Sequence, residues 1–145
     1  MPVRLDIVTM EGVVFSGDVD MVVAPGEAGE LGILPRHAPL MTILSYGELH
    51  ARRGDETLYF AIGGGFMEVL PYQVMVMADS AERAEEIDLE RAEAARRRAE
   101  ERLRDRSKGA EELARAQAAL RRSMVRIKVA QERARQQKPG PPVQQ

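Results

Sequence analysis

The side chains best placed for chemistry in this 145-residue chain are arginines at helical spacing. Arg122 and Arg126 lie four residues apart and stack on one helical face, and Arg91 and Arg98, seven apart, also share a face. Two such pairs facing each other across a hairpin would hold a polyphosphate through charge-assisted hydrogen bonds. Spacing alone favours the plainer reading, solvated arginine. Other chemistries are poorly supplied. The chain has no Cys, which removes disulfides, thiolate metal sites and thiol nucleophiles. His37 and His50 are its only histidines, without carboxylates at ligand spacing, so no metal site is expected. Gly63-Gly64-Gly65 lacks the Lys-Ser/Thr of a phosphate loop, and no Ser occupies a nucleophile elbow. Met67, Met75 and Met77 read as core filler on strands. Asp18 and Asp20 share a strand face and read as a solvated edge. No catalytic residue is expected, and an enzyme is poorly supported.

The elements that must position these residues change character at Asp79–Ser80. Residues 1–80 carry 4 Lys/Arg and 11 Asp/Glu, a charge of −7; residues 81–145 carry 17 and 12, a charge of +5. Such asymmetry points to partner surfaces. In the first part, apolar runs at 3–7, 13–15, 18–23, 40–44, 47–52, 57–62, 66–70 and 73–78 predict short strands of a sandwich or barrel. Gly63-Gly64-Gly65 marks a bulge or a close backbone approach. Asp79-Ser80-Ala81-Glu82 reads as a capping box and Asp88 as a second N-cap, giving a short helical turn and a fresh start at 88. Helices are expected at about 88–106 and 110–136, broken at Ser107-Lys108-Gly109 and stopped by Pro139. The expected organisation is a β-sandwich domain at 1–80, a helical hairpin at 81–138 and a disordered Pro/Gly-rich tail at 139–145.

The second helix offers a seam of Leu113, Leu120, Met124, Ile127 and Ala134; the first offers Leu89, Ala92, Ala99 and Leu103. Ala buries little area, at about 25 cal/mol per Å², so the hairpin is marginal alone and must pack on the sandwich or on a partner. The second helix is basic, yet all Phe and Tyr residues lie before it, so nucleic acid lacks a stacking platform and is not expected as a partner. No apolar run approaches the roughly 18 residues that span a bilayer. With no apolar signal segment and no Cys, the chain reads as soluble in a reducing compartment, reaching a membrane only through a partner.

Three segments resemble the ε subunit of the bacterial F-type ATP synthase: Gly29-Glu30-Leu31-Gly32-Ile33-Leu34-Pro35-Arg36-His37-Ala38-Pro39-Leu40, Gly63-Gly64-Gly65-Phe66-Met67-Glu68-Val69, and Ala78-Asp79-Ser80-Ala81-Glu82-Arg83-Ala84-Glu85-Glu86-Ile87-Asp88 leading into Arg91-Ala92. The family usually has Gly where this chain has Arg36. The resemblance implies an all-β flattened sandwich of about ten strands followed by an antiparallel α-helical hairpin. It implies a non-catalytic rotor subunit on the cytoplasmic face of the bacterial cell membrane. Its partners would be the γ subunit, the c-ring and, in an inhibited state, the catalytic αβ hexamer. Glu30, Leu31 and His37 match the segment that meets the c-ring. The helices would act as a brake on ATP hydrolysis, folded on the sandwich when permissive and extended along γ when inhibiting. Some members bind a regulatory ATP through a motif that stands here as Ile87-Asp88-Leu89-Glu90-Arg91-Ala92; that match makes Arg122 and Arg126 phosphate partners, alongside the Arg91 and Arg98 face read from spacing, with no other cofactor required. The competing reading is a free-standing nucleotide-sensing adaptor module.

Overall fold

The computed structural model describes residues 1–105 and 107–137; the tail expected at 139–145 lies outside them. Period-two alternation produces eight strands: β1 (Val3–Thr9), β2 (Gly12–Val19), β3 (Met21–Gly26), β4 (Gly29–Ile33), β5 (Leu40–Arg53), β6 (Glu56–Leu70), β7 (Gln73–Ala78) and β8 (Ala81–Arg83). They form one sheet in the order β2-β1-β7-β6-β5-β3-β4, with β8 paired to β6. Among the described residues only β1 and β7 pair in parallel. Val3, Leu5 and Ile7 of β1 share a core with Val22, Leu49, Phe60, Met67 and Val76 from four other strands. Phe15 of β2 meets the Phe60 ring edge to face, centroids 5.5 Å apart, although no ladder joins β2 to β6. The sheet therefore folds over on itself and its inner face becomes the interior of a sandwich.

The expectation of about ten strands is corrected to eight. Runs 40–44 and 47–52 belong to the single 14-residue β5, and runs 57–62 and 66–70 to the 15-residue β6. Small residues at the middle of each strand interrupt the apolar pattern without interrupting the ladder. Tyr46 still pairs with Gly63, and Leu44 with Gly65. On its other side β6 exchanges partners there, pairing with β7 from Gly65 onward and with β8 from Phe60 to Ile62. The glycine triplet marks a close approach. A Cβ on Gly63 would strike Ser80 Oγ, and one on Gly65 would strike the Met77 carbonyl oxygen.

Residues 79–82 do not start a helix. Asp79 and Ser80 bend across the glycine triplet and Ala81–Arg83 form β8, because the edge of β6 offers ladder partners there. Glu82 is thus a strand residue. A 3₁₀ turn covers Ala84–Glu86, with no side chain capping it. Helix α1 (Leu89–Arg104) begins at Asp88, whose carboxylate accepts the Arg91 N–H at 3.2 Å, and α2 spans Ala110–Gln137. The expected seams are only partly realised. Ala92 and Ala99 of α1 are buried, as are Ala116, Ser123 and Ile127 of α2, whereas Leu89, Met124 and Ala134 are exposed. The reason is that α2 has two apolar contacts to make. Its second stripe, Val125 and Val129, packs on Tyr59, Ala61 and Ala84 of the sandwich.

Arg36 adopts φ +67°, alone among described non-glycine residues in the left-handed region. That backbone costs an L residue about 1–2 kcal/mol, while glycine carries an unfolded-state entropy penalty of about 0.5–1 kcal/mol. Arg36→Gly is therefore expected to leave stability unchanged or raise it by up to about 1 kcal/mol. Thermal and urea denaturation of the two chains checks this; a clear loss of stability would contradict it.

Candidate functional site

The hairpin meets the sandwich through α2. At 100° per residue, the Val125–Val129 stripe is flanked by Arg121 and Lys128 on one side and by Arg126 and Arg133 on the other. Each finds a group on the sandwich side. Arg126 grips Glu82 bidentately, Nε to Oε2 at 2.7 Å and Nη2 to Oε1 at 3.1 Å. Arg133 lies 3.3 Å from the Glu85 carboxylate, and Lys128 3.6 Å from that of Glu48. The Arg121 guanidinium sits over the Tyr46 ring, 5.3 Å from its centroid. All four of these cations lie on α2. Helix α1 makes no ion pair with the sandwich among the described residues and rides on α2.

Beside the Arg126–Glu82 pair runs a cleft of about 370 Å³ between sandwich and hairpin, lined by Tyr46, Ser80, Glu82, Ala95, Arg122 and Arg126 among others. Two of the expected phosphate partners, Arg122 and Arg126, come together here. Arg122 is exposed, whereas the Arg126 guanidinium is already held by a carboxylate. Asp88, Arg91 and Arg98 do not line the cleft; Asp88 is the α1 cap, Arg91 and Arg98 are exposed, and Ala92 is buried in the hairpin.

On the sandwich, Glu30 is exposed on β4. Strand alternation turns Leu31 the other way, and its side chain packs against the core, so it offers little surface. His37 is half-buried, with Nδ1 2.7 Å from the Ala38 carbonyl oxygen.

Comparison with known proteins agrees with this architecture. The beta-sandwich domain of the ATP synthase delta/epsilon chain matches residues 2–84, and the long alpha-helix domain of the same chain matches residues 85–131. The chain belongs to the ATP synthase delta/epsilon family. The ATP synthase epsilon chain of Herpetosiphon aurantiacus is 56% identical over 137 residues, covering 94% of this chain and 100% of that one. That of Dehalococcoides mccartyi strain BAV1 is 55% identical, covering 90% and 93%. A chain in a Euglena gracilis mitochondrial ATP synthase structure, which contains OSCP, F1 and c-ring, shares the fold with a TM-score of 0.76 at 22% identity, covering 92% of this chain and 81% of that one.

The epsilon-chain relationship does not itself locate the rim of ion pairs. Sequence reading picked Arg126 for phosphate but missed its partner Glu82 and the rest of the rim, in which Lys128 meets Glu48, Arg133 meets Glu85 and Arg121 meets Tyr46. The only signal was the opposite charge of the two halves. Glu48 is the most buried of these acids, and its carboxyl is held below the usual range chiefly by His50, whose Nδ1 lies 3.3 Å away, with the attraction of Lys128 adding to it against the opposing effect of burial. A depressed folded-state pKa stabilises above the unfolded value near 4.5, and that stabilisation is lost as pH falls through the lower folded value. Wild type is thus expected to exceed Glu48→Gln in stability by about 1 kcal/mol at pH 7, with the gap closing below about pH 4.5. Melting curves of both chains from pH 7 to pH 3 provide the measurement; a constant gap would contradict the assignment.

Proposed function

We propose that the chain is a non-catalytic rotor part of the F-type ATP synthase, docked on γ by its sandwich and restraining ATP hydrolysis by its hairpin. The observation that carries the docking reading is an exposed apolar row across the outer face. Register pairs Ile43 with Phe66, Phe66 with Met77, Met77 with Val8, and Val8 with Val13. Phe66 is 51% and Ile43 50% exposed, and Met77 and Val13 are exposed as well. Rows of this kind mark protein-interaction surfaces. Glu68 stands between the exposed Met41 and the half-buried Met75 in the neighbouring row. With a charge of −7 over residues 1–80, the face suits an apolar, basic partner surface.

The brake reading draws on the weakness of the hairpin's attachment. A few small apolar groups and a rim of ion pairs hold α2, and its release bares four cations for an acidic surface of the catalytic hexamer. The segment from Glu30 to His37 would meet the c-ring, placing the chain on the cytoplasmic face of the membrane as a peripheral component. No helix among the described residues is long and apolar enough to cross a bilayer. The Euglena neighbour, solved with its c-ring, supports this setting.

Two variants of the assembled enzyme test the two roles separately. Phe66→Asp, at an exposed position, should weaken binding to γ at least tenfold while the chain keeps its circular dichroism. Removing residues from Gly109 onward should speed ATP hydrolysis with γ binding intact. Unchanged affinity in the first case, or unchanged hydrolysis in the second, rejects the corresponding role.

A regulatory ATP would use the Asp88–Ala92 segment with Arg98, Arg122 and Arg126, its phosphates taking the Arg122 side of the cleft. Binding to the docked hairpin alone requires ATP to raise the melting temperature, by about 1.4 kcal/mol in free energy at ten times Kd. Arg122→Ala should remove most of that shift. A melting curve unmoved by millimolar ATP would leave Asp88 as a cap only.

A further inference from the structure

Arg36 occupies a backbone conformation suited to glycine, and its side chain contributes little to the fold. Its N–H donates to the Pro71 carbonyl oxygen at 2.6 Å, joining the turn after β4 to the turn between β6 and β7, a bond glycine would make equally. The guanidinium meets no carboxylate among the described residues. Its polar contact is Met1 Sδ at 3.5 Å, a weak acceptor. A strained position that keeps a long cation it does not need for folding is a place to look for a partner.

The surroundings define that partner. Met1, Leu34 and Tyr72, on the segments joined at this end, are 92%, 59% and 72% exposed. Glu30 stands exposed on β4, the strand that leads into the turn. This turn therefore offers apolar side chains and a guanidinium that meets no carboxylate among the described residues. Building on the reading that this end meets the c-ring, we propose that Arg36 is a specificity-determining contact for a carboxylate on the ring's polar loop, with Met1, Leu34 and Tyr72 covering the loop's apolar atoms. A planar guanidinium matches a carboxylate with paired hydrogen bonds. A membrane surface fits less well, because anionic headgroups are held by clusters of free basic residues, and here Arg36 stands beside the Met1 ammonium and Arg4, whose guanidinium is already paired with Asp6, on a sandwich of charge −7.

Arg36→Gly makes a clean test because it is expected to fold at least as well as wild type. Wild type, Arg36→Gly and Arg36→Lys, each with γ, are titrated onto detergent-solubilised c-ring at 50 mM and 300 mM salt, with binding of γ measured in parallel. Arg36→Gly should lose about tenfold in ring affinity at low salt and less at high salt, Arg36→Lys should recover part of it, and affinity for γ should not change. Equal ring affinity of wild type and Arg36→Gly overturns the proposal while leaving the ring contact standing. Absence of ring binding by wild type removes the ring contact itself, and the proposal with it. Vesicles containing anionic lipid form the last arm; binding to them that depends on Arg36 overturns the proposal in favour of a lipid contact.

Discussion

The arrangement of the whole chain turns on the bidentate pair between Arg126 of α2 and Glu82 of β8. It fixes the basic hairpin to the acidic sandwich at the point where the chain passes from one to the other. Both side chains are partly exposed, so the pair is worth about 1 kcal/mol and is weakened by salt. Arg133–Glu85, Lys128–Glu48 and the Arg121–Tyr46 stacking extend the same attachment around the Val125–Val129 stripe. Each is modest. Together they hold α2 in one place, yet none is beyond the reach of a competing acidic surface, the property a two-state element requires.

The two parts differ in cohesion for a physical reason. The sandwich closes over a continuous core of Val, Ile, Leu, Phe and Met side chains drawn from nearly every strand, and the long β5 and β6 tie its layers by backbone ladders. The hairpin relies on alanines at its buried positions and on one small apolar contact with the sandwich. A partner bound to the apolar row on the outer face can therefore leave the sandwich unchanged while the hairpin moves. The charge asymmetry that keeps the chain's net value near −2 lies across the contact that would open.

Much of this was legible in the residues. Alternation at Val3–Ile7 and Gln73–Ala78 defines strands, Asp88 announces the start of α1, and Gly109 marks the break before α2. Three features escaped a linear reading. Residues 79–82 carry the signature of a capping box, but strand pairing with β6 satisfies the same backbone groups and takes precedence. Small residues at Gly47 and Gly63–Gly65 looked like strand ends because the apolar pattern stops, although the ladder continues. The seam of α2 was read as one stripe because its second stripe is only Val125 and Val129, legible once Tyr59 and Ala61 are known to lie beneath it. Of the site, the arginine spacing was visible; the carboxylates that meet the cations of α2 (Arg126, Lys128 and Arg133) are 44 to 80 residues away and could not be paired by spacing.

The central claim is that electrostatic pairing, more than apolar contact, keeps the hairpin docked. Because the chain has no Cys, spin labels can be placed without background at Asp55→Cys on the sandwich and Met124→Cys on α2, both exposed. Pulsed electron–electron resonance then reads the separation of the two modules. At low salt the account predicts one narrow distance, and in the Glu48→Gln, Glu82→Gln, Glu85→Gln background a second, longer population, with sandwich circular dichroism unchanged. The same single narrow distance in both backgrounds would show that the apolar contact alone holds the hairpin and would contradict the account.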